Sequence, residues 1–210
     1  MKTEIVDGHR IYVTATGERY PGITSLLSQT KPEESEVGLR KWREKVGEDV
    51  AEFIINRSAA IGTKTHLLIE AHLKNQPLKK PIKDLLPQAH FENMRMALDK
   101  IADCKLEMEL ISDTLKVAGR ADCIGWYEGR FSVIDFKTAR RPKRREWIED
   151  YFLQATAYCK MYEETTNTEQ PNNIVVIVSS EDGRLSVFEE HPKRWENKLY
   201  ERIGQYYANR

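Results

Sequence analysis

Residues Ile174-Val175-Val176-Ile177-Val178 form an unbroken run of β-branched side chains. Branching at Cβ favours a pleated strand. A strand apolar at every position has no solvent side, so it reads as buried on both faces. The strand must therefore sit inside a sheet that other elements cover, and those elements have to come from the rest of the chain.

Upstream of that run the hydrophobic period changes along the sequence. Leu39, Trp42, Val46, Val50, Phe53 and Ile54 recur at steps of three and four, which predicts one long helix with an apolar stripe. Trp42 lies on that stripe and is assigned to the core. Ala59 to Leu73 predicts a second helix, broken or bent near Gly62, and Phe91, Met94, Ala97, Leu98 and Ile101 mark a third. Asn75 to Pro87, rich in proline and lysine, reads as a loop. Leu106 to Ile111, Leu115 to Trp126 and Phe131 to Thr138 then read as strands, with Glu128-Gly129 as a tight turn. Trp147 to Glu163 returns to helix, Glu181-Asp182-Gly183 turns the buried strand into Leu185 to Phe188, and Pro192 opens a C-terminal helix ending near Tyr207. At the front, Asp7-Gly8 between Glu4–Val6 and Arg10–Thr14 signals a hairpin. Thr24 or Ser25 is placed to cap a short helix, and Lys31 to Ser35 reads as a loop. The expected class is α/β, a central mixed β-sheet flanked by helices with an N-terminal helical extension. Residues 1–58 form the hairpin and extension and residues 59–210 the core of a single domain.

Composition narrows the function. Lysine plus arginine equal aspartate plus glutamate at 33 each, which excludes a globally basic nucleic-acid coat and leaves room for a local basic face. No apolar run reaches the length of a membrane span, and the first ten residues lack the apolar stretch of a signal peptide, so a cytoplasmic protein of a bacterium or phage-infected cell is expected. Cys104, Cys123 and Cys159 are widely spaced and odd in number, which reads as packed, reduced thiols.

The chemistry concentrates in Gly119-Arg120-Ala121-Asp122 and Val133-Ile134-Asp135-Phe136-Lys137-Thr138. The strand period of two puts Asp135 and Lys137 on one face, with Val133, and turns Ile134 and Phe136 the other way. Asp122 lies on the preceding strand, across the Glu128-Gly129 turn. Two convergent carboxylates with few other ligands suit Mg2+ or Mn2+, which keep waters and accept phosphate oxygens. Such an ion stabilises charge on a phosphate and activates water, and Lys137 can orient that water or neutralise developing charge.

These residues resemble the PD-(D/E)xK nuclease signature in its RecB-like form. Gly62-Thr63-Lys64-Thr65-His66 resembles that family's helix carrying a metal-site histidine, and Gln154 and Tyr158, four apart on a helix face, resemble its Q-x-x-x-Y helix. Tyr20-Pro21-Gly22-Ile23-Thr24-Ser25-Leu26-Leu27 with Leu39-Arg40-Lys41-Trp42 resembles the front of the mitochondrial genome maintenance exonucleases and related phage exonucleases. The resemblance implies a restriction-endonuclease-like fold and a DNA exonuclease that prefers single strands or ends. It implies Asp122, Asp135, His66 and the Phe136 carbonyl as metal ligands, Lys137 as the assisting amine, and Gln154 and Tyr158 as groups facing the DNA. Glu109 is the better of two candidates for an accessory ligand, the other being Glu107. Three cysteines do not match the four that hold an iron–sulfur cluster in some relatives, so no cluster is expected.

The basic run Arg140, Arg141, Lys143, Arg144 and Arg145 directly follows the active strand and is assigned, with Arg120 and Thr138, to the DNA backbone. Trp147 and Tyr151 are the candidates to stack on bases. A structure- or sequence-specific endonuclease on the same fold, or a catalytically silent DNA-binding subunit, are the competing readings.

Overall fold

A computed structural model describes residues 1–209. Its centre is a five-stranded sheet made of β4 (Ile101–Ser112), β5 (Val117–Tyr127), β6 (Arg130–Ala139), β7 (Asn173–Ser180) and β8 (Leu185–Glu190), paired in that order. All neighbours are antiparallel except β6 and β7, which run parallel. A parallel pair needs a crossover, and α5 (Glu149–Thr166) provides it. The mixed sheet flanked by helices is the α/β class that the sequence predicts.

The β-branched strand β7 is buried at every position and explains the layering. Ile174, Val176 and Val178 pack with α1 (Ile23–Gln29), α5 and α6 (Glu196–Ala208) on one face. Val175 and Ile177 pack with α3 (Glu48–Leu73) and α4 (Leu85–Leu98) on the other. Alternate side chains thus feed two separate cores, as the strand period requires. Val133 belongs to the first core, and Ile134 and Phe136 to the second.

The N-terminal segment departs from expectation in several places. The hairpin of β1 (Lys2–Val6) and β2 (His9–Val13) gains a third strand, β3 (Arg19–Pro21). Gly22, not Thr24 or Ser25, occupies the N-cap of α1. The single long helix is two: α2 (Glu33–Val46) and α3 meet at Gly47, whose φ of 86° no helix accommodates. Helix α2 begins inside the segment read as a loop and buries no residue, so Trp42 is not core. Leu39, Val50 and Phe53 of the supposed core stripe are exposed. Helix α3 runs through Gly62 without a break, α4 starts before Pro87, and Ile101 opens β4 instead of closing a helix. No helix is long and apolar enough to cross a membrane among the described residues.

Candidate nuclease site

The site arises where the sheet opens. Strands β5 and β6 pair only from Tyr127↔Arg130 to Cys123↔Ile134, whereas β6 stays paired with β7 to Ala139. Beyond Cys123 the two strands separate, and Asp122 and Asp135 stand at the fork. Asp122 replaces the lost ladder: its Oδ2 accepts the backbone N–H of Phe136 at 3.0 Å. The carbonyl of the same residue lies 2.9 Å from His66 Nε2 on α3. The Phe136 peptide is therefore held on both sides, and His66 Nδ1 lies 3.7 Å from Asp122 Oδ1.

Asp135 is 2% exposed, and Lys137 Nζ donates to its Oδ1 at 2.5 Å. Its other oxygen, Oδ2, is buried and has no hydrogen-bond partner. A buried carboxylate oxygen without a partner is costly unless a ligand takes it. Burial raises the Asp135 carboxyl, to about 6, against the opposing pull of Lys137. Burial would lower the Lys137 ammonium, but the Asp135 and Asp122 carboxylates outweigh it and hold the proton on. That ammonium rests 5.0 Å from the centre of the Tyr151 ring. Tyr151, Gln154 and Tyr158 share one face of α5 and line a cleft of about 660 Å³ with His66, Asp122 and Lys137. Gln154 Nε2 donates to Tyr158 Oη at 3.2 Å. Tyr158 comes so close to β5 that a Cβ on Gly119 would lie 2.7 Å from its ring, which gives the glycine of the GxxD motif a packing reason.

Of the two glutamates, Glu107 is the one that stands beside Asp122 and His66. It falls opposite Asp122, between the pairs Leu106↔Cys123 and Met108↔Ala121, and its φ of 52° marks an irregularity in β4. Ligand atoms of His66, Glu107 and Asp122 all lie within 4.8 Å of one another. Burial pushes the Glu107 carboxyl up, against the pull of Arg120, whose Nε lies 2.8 Å away. Glu109 instead sits opposite Arg120 in register and pairs with the Met1 amine at 2.5 Å, outside this group. Strand parity cannot separate positions two apart; the register does, and it could have been counted from the turn at 113–116 had that turn been located.

The predicted basic clamp is dispersed. Arg145 pairs with the buried Glu190 carboxylate. Arg144 covers the ring of Trp147 at 5.2 Å. Thr138, Arg140, Arg141 and Lys143 stand outside the residues lining the cleft, and Trp147 is exposed there too. Arg120 does line the cleft, tied to Glu107. Arg10, which the sequence offered only as part of a hairpin strand, lines it as well. Cys159, on α5, packs in the first core, while Cys104 and Cys123 lie in the other layer, all as free thiols.

A sequence profile of the PD-(D/E)XK nuclease superfamily matches residues 27–207. The chain belongs to this superfamily. Mitochondrial genome maintenance exonuclease 1 of Homo sapiens is 28% identical over 173 residues, which are 78% of this chain and 50% of that protein. The Mus musculus protein of the same name is 31% identical over 129 residues, 59% of this chain and 38% of its own length. The Xenopus tropicalis one is 27% identical over 172 residues, 78% and 49% respectively. The chain thus spans half or less of the length of these relatives. Nucleases of the PD-(D/E)XK superfamily use divalent metals. The side chains here fit one: ligand atoms of His66, Glu107 and Asp122 lie within 4.8 Å of one another, and Asp135 keeps an unpartnered buried oxygen.

Proposed function

We propose that this nuclease is a deoxyribonuclease that hydrolyses phosphodiester bonds of DNA, acting exonucleolytically with a preference for single strands or ends, and that it requires Mg2+ or Mn2+. The observation that carries the reading is the unpartnered Asp135 Oδ2 at the fork of β5 and β6, beside Asp122 and the Lys137 ammonium. Asp122, Asp135, the Phe136 carbonyl and His66 hold the ion, with Glu107 as the accessory carboxylate. When bound, the ion supplies Lewis-acid stabilisation of phosphate charge and a more acidic water. Lys137, kept protonated by its two carboxylates, donates hydrogen bonds to the phosphate or to the attacking water; it does not accept a proton. Gln154 and Tyr158 face the strand from α5. The relatives named as exonucleases support the choice of ends over internal sites.

Asp135→Ala and Lys137→Ala should each lower cleavage by about a hundredfold or more while single-strand binding persists. End-labelled single strands, duplexes and closed circles, each with Mg2+, Mn2+ or chelator, provide the check. Cutting of circles establishes an endonuclease instead, and no metal-dependent release from any substrate leaves only a binding subunit.

A further inference from the structure

Three cationic side chains line the cleft: Arg10, Arg120 and Lys137. Arg120 is matched by Glu107 at 2.8 Å and Lys137 by Asp135 at 2.5 Å. Glu70, which also lines the cleft, pairs with Lys74 at 2.5 Å. Arg10 alone has no carboxylate within ion-pair distance among the described residues. An unmatched positive charge beside a concave surface attracts an anionic ligand.

The backbone of Arg10 is fixed, so its side chain starts from one place at the cleft. Its N–H donates to Ser25 Oγ at 3.1 Å, and its carbonyl accepts the N–H of Gly22 at 2.8 Å. A Cβ on Gly22 would meet that carbonyl at 3.3 Å and the Tyr12 ring at 3.2 Å, so β2 and the start of α1 are in close contact. Both bonds of the peptide are spent on α1, and the exposed side chain remains available.

We infer that Arg10 is a phosphate-binding residue of the substrate cleft, so that the N-terminal hairpin contributes to strand binding. The inference rests on the nuclease reading of that cleft. The guanidinium fork matches a phosphate in two-point geometry. Either a terminal monoester or an internal diester presents the required oxygens.

The test measures binding in chelator, where cleavage plays no part. The probe is a labelled single-stranded oligothymidylate carrying either a 5′-phosphate or a 5′-hydroxyl. Arg10→Ala should raise Kd about tenfold, and the slope of log affinity against log salt should become shallower by about 0.7. Arg10→Lys, which keeps the charge without the fork, should recover part of the loss. Lys2→Ala, removing an exposed cation paired with Glu4 and outside the cleft, should leave Kd unchanged. Loss confined to the phosphorylated probe identifies the terminal monoester; equal loss on both identifies the internal diester. An Arg10→Ala protein that melts like wild type and binds with the same Kd and salt slope overturns the inference. Arg10-dependent binding by a protein that never cleaves with either metal would instead sink the nuclease reading alone.

Discussion

Tyr151 stands three residues before Gln154 and seven before Tyr158, so the helix period aims all three at one cleft. Its ring meets the Lys137 ammonium at 5.0 Å, and we propose that it positions the amine and does not stack on a base. Cation–π contacts of this kind contribute on the order of 1 kcal/mol. Tyr151→Phe keeps the ring and should leave kcat near wild type, whereas Tyr151→Leu should lower kcat about tenfold with KM little changed. A rise in KM with kcat intact would assign the ring to substrate after all. Glu107 and Glu109 make a second contrast at this scale. Two carboxylates directly opposed on antiparallel strands repel, and Glu107 and Asp122 are so placed. A cation between them relieves that repulsion. Glu107→Gln should weaken Mn2+ binding about tenfold by calorimetry, and Glu109→Gln should not change it; the reverse order would restore Glu109 as the accessory ligand.

At the scale of elements, the site is a consequence of where pairing stops. Strand β6 continues along β7 while β5 turns away, and the freed Phe136 peptide is taken up by Asp122 and His66. The strand β7 that anchors β6 is itself pinned to α4. Asn93 Nδ2 donates to Ser179 Oγ at 2.9 Å, and His90 Nδ1 is hydrogen-bonded to the same hydroxyl, also at 2.9 Å. Burial lowers the His90 imidazole below 6.5, its ordinary value, against a weaker opposing pull from Glu181. A lowered value means that the unfolded chain takes up the proton first. The contribution is full above pH 6.5 and is lost as pH falls through the folded-state value. Thermal melts of wild type and His90→Gln between pH 7.5 and about 5 should therefore converge as pH falls. Parallel curves would remove His90 from the pH dependence.

For the whole molecule, the expected single domain of 1–210 gains physical support from the ties between its N-terminal segment and the core. Tyr20 Oη donates to Asp113 at 2.9 Å, Gly22 bridges to Ala118, and Arg202 on α6 bonds Thr30 and the Leu27 carbonyl as well as Asp150. Ile23, Leu26 and Leu27 are buried with the central core. We therefore predict one cooperative unfolding transition, with far-ultraviolet and tryptophan-fluorescence melts coinciding. Two separated transitions would show that the extension and the core fold independently. Helix α2, which buries nothing, is the element expected to exchange its amides fastest within that unit.

The chain's order of residues alone determined the buried β7, the hairpin joining β5 to β6, and the placing of Asp135 and Lys137 on one strand face with Asp122 on the strand before; His66, Gln154 and Tyr158 entered through the family resemblance. Those are local matters: strand period, helix period and turn chemistry place each side chain on its own element. The tertiary structure decided what depends on the relation between elements. Register set Glu107, and not Glu109, beside Asp122. Packing between elements put Tyr151 on Lys137 and Arg145 on Glu190, and the docking of β2 on α1 brought Arg10 to the cleft. Periodicity also misassigned α2, because it reports a stripe without reporting whether anything lies against it. A charge or an aromatic ring reads the same in sequence whether it is free or engaged, since its partner is set by chain folding over many residues and not by its neighbours.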